Sequence, residues 1–170
     1  MVEIDFRHDL LPLKNKIFRL ALRITANRAE AEDITQDTLV KAWTKRAELA
    51  AADSPEAYCL TICRNLALDR REKKDNQSLG LESFSLETPD NALSAQEIME
   101  YEERLTRIRR IFSQLPEKQR TVLQLRDVEE RPGREVAEIM GETEENVKVL
   151  LFRARRAVRA AYLKIENYGL

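Results

Sequence analysis

Apolar side chains recur three and four positions apart along most of this chain, and that spacing commits it to helices packed through one face. Ile17, Leu20, Ala21 and Ile24 form one such stripe. Tyr58, Cys59, Ile62, Cys63 and Leu66 form a second, and Ile98, Tyr101, Leu105, Ile108 and Phe112 a third. Between the first two, Ala31, Ile34, Thr38, Ala42 and Trp43 are expected on the inner side of another helix. With 4 Gly and 5 Pro among 170 residues, 35% of them charged, little interrupts these helices and much keeps their outer faces wet. A hydrophobic content of 43% supplies one medium core or two small ones.

Start signals divide the stripes. Asn27 with Glu30 three residues on reads as a capping box, opening a helix to about Lys45. Ser54-Pro55 pairs a capping side chain with a proline that needs no amide partner, opening a helix to about Lys73. Ser94 and Glu97 repeat the capping box, and Leu115-Pro116-Glu117 restarts the chain before Val122, Leu123 and Leu125. Residues 75–93 carry Asn, Ser, Gly, Pro and acids without a sustained apolar period, as a linker does. The expected fold is all-α. A helical bundle at 1–74 is joined by an acidic linker at 75–94 to a helix-turn-helix domain at 95–170.

The net charge of −1 conceals a segregation. Positions 75, 82, 87, 90, 97, 100, 102 and 103 are acidic, with no Lys or Arg among them. From Val147 to Ile165 the charges are Lys148, Arg153, Arg155, Arg156, Arg159 and Lys164, without an acid. Arg64, Arg70, Arg71, Lys73 and Lys74 make a second basic group. Two basic patches around an acidic middle suit two polyanion contacts joined by a solvated connector.

Several classes are excluded. The longest apolar runs fall far short of a membrane span, and the first residues lack the basic start and apolar run of a signal peptide, so a cytosolic protein is expected. Cys59 and Cys63 share a helical face and read as small buried side chains, since a metal would need more ligands and His8 is the lone histidine. No phosphate-binding glycine loop or nucleophile elbow is present. No enzyme, cofactor, metal or small-molecule substrate is expected.

The clearest mechanism lies in Arg134–Arg159. Val136, Ala137 and Met140 fit a first helix, Gly141 a turn at positive φ, and Thr143 the cap of a second helix. Val147, Leu150 and Leu151 would pack that helix back, and small Ala137 permits a close crossing. Ala137, Gly141, Val147 and Leu150 together have helix-turn-helix spacing. Asn146, Lys148, Val149, Phe152 and Arg153 would then face outward, with Arg155, Arg156 and Arg159 extending a basic surface for phosphates.

With these blocks in order, the chain resembles the extracytoplasmic-function sigma factors, minimal initiation factors of the sigma-70 type. Ala31-Glu-Asp-Ile-Thr-Gln-Asp-Thr-Leu-Val-Lys-Ala-Trp43 resembles their core-polymerase-binding helix, and Tyr58-Cys-Leu-Thr-Ile-Cys-Arg-Asn-Leu-Ala-Leu-Asp69 their promoter-melting helix. Leu115-Pro-Glu-Lys-Gln-Arg120, Val136-Ala-Glu-Ile-Met140 and Asn146-Val-Lys-Val-Leu-Leu-Phe-Arg-Ala-Arg155 resemble the start, turn motif and recognition helix of their second domain.

The resemblance implies roles. Asp33, Gln36 and Asp37 would contact core RNA polymerase. Thr61, Arg64 and Asn65 would face −10 promoter DNA, with Arg70, Arg71, Lys73 and Lys74 on its phosphates. The loop from Glu48 to Ser54 would help hold a flipped base, which exposes the Watson–Crick edge. Arg126 would hold a phosphate of the −35 element, while Lys148, Val149, Phe152 and Arg153 would face its major groove, with Asn146 and Arg156 also binding −35 DNA. An anti-sigma factor, often membrane-anchored in this family, is the further partner implied. The alternative is a dimeric helix-turn-helix regulator acting without core polymerase, which requires a palindromic site.

Overall fold

The computed structural model describes residues 3–75 and 94–168. The linker expected at 75–94 lies, but for its two ends, outside the described residues. All regular elements among the described residues are helical.

A π turn at Phe6–Leu10 and a 3-10 turn at Leu11–Leu13 lead into α1 (Lys14–Thr25). Its stripe of Ile17, Leu20, Ala21 and Ile24 is fully buried. The helix ends at Ala26, held at φ 55° in the left-handed region. α2 (Arg28–Thr44) is capped by Asn27, whose side chain accepts from the Glu30 amide at 3.0 Å. Ala31, Ile34, Thr38 and Ala42 turn inward as the spacing predicts. Trp43 does not. It is 38% exposed, edge-on to Phe6 with Arg46 over its ring at 4.5 Å. One residue past Ala42 the helix has rotated out of the core, and the indole lies between Phe6 and Arg46 instead.

The stretch Glu48–Ser54, expected as a loop, is mostly α3 (Arg46–Ala51), leaving a short connection. Ser54 then accepts from the Ala57 amide at 3.2 Å and opens α4 (Pro55–Asp75). Cys59 and Cys63 are buried within α4, as expected, and burial pushes their thiols up to about 11 and about 12. α1, α2 and α4 pack mutually into a bundle.

The second half begins at a complete Ser94/Glu97 capping box on α5 (Ala95–Gln114). α6 (Glu117–Leu123) and a π turn at Gln124–Val128 follow, then α7 (Gly133–Met140) and α8 (Glu144–Tyr168). α6 and α7 pack on α8. The two halves also meet, α1 against α6 and α4 against α7, and their buried apolar side chains, Ile111 apart, form one cluster.

Candidate nucleic-acid interface

The turn between α7 and α8 is built as its residues demand. Gly141 sits at φ 64°, ψ 37°, where an L side chain is strained. The Glu142 amide closes the turn onto the Ala137 carbonyl at 2.9 Å. Thr143 caps α8, its hydroxyl accepting from the Asn146 amide at 3.0 Å. Val147 and Leu150 are buried and Leu151 half-buried, which fixes the rotation of α8 about its axis.

That rotation presents one face to solvent. Lys148, Val149, Phe152, Arg153 and Arg156 are all exposed, Phe152 at 66%. Val149, three residues before it, is 42% exposed, so the cationic face carries two apolar side chains. Asn146 is half-buried and donates to the Glu142 carboxylate. Lys118 pairs with the same carboxylate, and the two together hold Glu142 below the usual carboxylate range. Arg155 pairs with Asp127, which raises its guanidinium pKa, so it braces α8 on the π turn. Arg126 is exposed beside it in sequence, on that turn.

In the first half, Asp33, Gln36 and Asp37 share the open side of α2. Val40, one turn further, is 65% exposed on the same side, an apolar side chain beside the acids. Arg70 of α4 reaches both acids, 2.9 Å from Asp37 and also paired with Asp33. It therefore lies between the two expected surfaces rather than free on one of them.

On α4, Asn65 is exposed, Thr61 and Arg71 are half-buried and Lys73 is exposed. The Thr61 hydroxyl donates to the Ala57 carbonyl at 2.8 Å. The Lys74 side chain is outside the described residues. Arg64 departs from expectation. It is 7% exposed and turned into the second half, donating to the Glu117 carboxylate from Nε and Nη2 and to the Met140 carbonyl from Nη1, each at 3.3 Å. Its position on α4 is as the spacing implies, but α7 covers it.

Arg64 belongs to a polar seam that no local pattern announced. Arg19 donates to both oxygens of Glu129 at 2.6 and 2.9 Å, and this bond raises the Arg19 pKa. Arg23 donates to Gln124 at 3.0 Å and lies over the Phe112 ring at 4.2 Å, where burial lowers its pKa. Gln124 in turn donates to Glu129 at 3.2 Å. Glu56 takes Lys16 at 2.8 Å and Arg131 at 2.9 Å. Partners 101 and 110 residues apart leave no trace in local periodicity.

Known families match both halves. A model described as Sigma-70 region 2 matches residues 12–77, and one described as Sigma-70, region 4 matches residues 105–158. The ECF RNA polymerase sigma factor SigW of Bacillus subtilis is 30% identical over 86% of this chain and 82% of its own length. The ECF RNA polymerase sigma factor SigL of Mycobacterium tuberculosis is 29% identical over 91% of this chain and 85% of its own. In fold, the chain is similar to the sigma factor RpoE of Bartonella quintana, solved with the anti-sigma factor NepR. The TM-score is 0.74 at 24% identity, covering 95% of this chain and 98% of that one.

Proposed function

Because the chain belongs to the ECF RNA polymerase sigma factors of the sigma-70 family, we propose that it uses three of its surfaces in sequence to start transcription at chosen promoters. The open side of α2, with Asp33, Gln36 and Asp37, docks on core RNA polymerase. The exposed face of α8 enters the −35 major groove. There Lys148 and Arg153 meet base edges or phosphates, Val149 and Phe152 offer apolar contact to a thymine methyl, and Arg126 and Arg156 hold the backbone. Thr61 and Asn65 of α4 meet the unpaired −10 strand, with Arg71, Lys73 and Lys74 along its phosphates. Arg64 and Arg70 join them only when freed, the one from Glu117 and the Met140 carbonyl, the other from Asp33 and Asp37.

The boundaries 1–74 and 95–170 divide this work between two domains. The second positions on duplex and the first captures a strand, while polymerase joins them so that effective concentration supplies affinity neither has alone. The protein performs no chemistry of its own and works in the cytoplasm beside polymerase. An anti-sigma factor is its regulatory partner.

The observation that carries this reading is the solvent-facing row of Lys148, Val149, Phe152, Arg153 and Arg156 on a helix fixed by a glycine turn. No helix among the described residues is long and apolar enough to cross a membrane. Gel retardation on promoter duplex, with and without core polymerase, tests the reading. Specific retardation should require polymerase. Tight specific binding by the isolated chain to a palindromic site would instead fit a dimeric regulator.

A further inference from the structure

Arg70 stands where two expected roles meet, and its geometry favours one of them. Its Nη2 lies 2.5 Å from Asp33 Oδ2 and 2.9 Å from Asp37 Oδ2, so a single nitrogen of α4 ties down two acids of α2. At about 100° per residue, Arg70 leaves α4 about 140° round from Asn65 and about 180° from Thr61, away from the residues that meet the −10 strand. Charge points the same way. One guanidinium between two carboxylates leaves the group with an excess of negative charge, which repels a phosphate and draws a cation.

The contact adds little to the fold. The Asp33 and Asp37 side chains stay 55% and 50% exposed, and an ion pair so open to water contributes little stability. Its effect is on shape. Two like charges one helical turn apart repel each other. Arg70 takes one oxygen of each carboxylate and fixes both, leaving the second oxygens for donors outside the chain. A surface already held in its binding geometry loses less entropy on docking. We infer that Arg70 is a positioning residue of the polymerase-docking surface, holding Asp33 and Asp37 in place beside Gln36 and staying with them when core RNA polymerase binds. The −10 phosphates are then left to Arg71, Lys73 and Lys74. The inference rests on the reading that α2 docks on polymerase and adds to it the residue that sets the geometry of the acids.

The test titrates the full chain against core RNA polymerase. Arg70→Ala should weaken binding roughly fivefold at unchanged helicity, and Arg70→Lys, which keeps the charge, should recover most of the loss. In an Asp33→Asn/Asp37→Asn background, Arg70→Ala should change little, because no carboxylate remains to be positioned. Promoter binding by holoenzyme, formed with the chain in saturating excess, should keep its salt dependence. Should Arg70→Ala lose helicity, Arg70→Gln takes its place in the same cycle. A fivefold loss that persists undiminished in the Asn background would put Arg70 on polymerase directly and overturn the inference. So would a log–log salt slope lowered by about one, which would place the guanidinium on a phosphate. Gln36→Ala, which leaves the three charges intact, separates the inference from the reading beneath it. If Gln36→Ala weakens core binding and Arg70→Ala does not, the inference alone falls. If neither weakens it, the docking assignment of α2 falls as well.

Discussion

Single residues carry the conformations that the rest depends on. Gly141 has nothing within 4 Å of where a Cβ would stand, so a side chain there meets no clash and only the left-handed backbone is penalised. Gly141→Ala should therefore lower stability by about 1–2 kcal/mol without disturbing packing. Ala26 already occupies the same region at φ 55°. Ala26→Gly relieves that strain at some entropic expense in the unfolded chain and should be neutral to stabilising by up to about 1 kcal/mol. Opposite signs for the two in thermal melts are the expected outcome, and equal signs would contradict the backbone account. Cys59 and Cys63 make a further claim at this scale. Their folded thiol pKa values lie near 11 and 12, well above the usual value, so almost no thiolate exists at neutral pH. Iodoacetamide at pH 7–8, the range in which a free thiol with a pKa of about 8.5 begins to react, should label neither until the chain is unfolded. Rapid labelling of the native protein would show the bundle to be open.

At the level of elements, the sequence was most legible where the period is strong and the caps are chemical. Asn27, Ser54 and Ser94 mark three helix starts because their side chains each accept a backbone N–H that nothing else would satisfy. Trp43 was misread because apolar character alone cannot tell an inner position from one just beyond the core's edge. The stretch after Glu48 was misread because α3 spans only one and a half turns or so, too short for a period to declare itself. The α8 face was legible for the opposite reason: buried Val147 and Leu150 fix what must point outward.

That face and the open side of α2 should separate genetically. Lys148→Ala and Arg153→Ala should each weaken −35 recognition by about 1–2 kcal/mol, while core-polymerase affinity is retained. Gln36→Ala with Asp37→Ala should do the reverse. Intact core affinity in the latter pair, or lost core affinity in the former, would contradict the assignment of these helices.

At the scale of the molecule, what the sequence concealed is the relation between its halves. Their polar partners are too far apart in the chain for spacing to reveal, and ion pairing depends on three-dimensional approach rather than on pattern. Charge segregation was visible, however, and it has a global consequence. Holoenzyme binding to promoter DNA should weaken steeply with salt as counterions are released. Arg153→Ala should flatten the log–log slope by about one, and an unchanged slope would take Arg153 off the phosphates.

The most direct test is run-off transcription by core polymerase over a library of promoter fragments. Core alone should initiate without preference, and adding this chain should select a small set of fragments sharing two short elements at fixed spacing. Selection should fade with Lys148→Ala/Arg153→Ala. Transcription whose start sites are unaltered by the chain, under conditions where it binds core polymerase, would contradict the account.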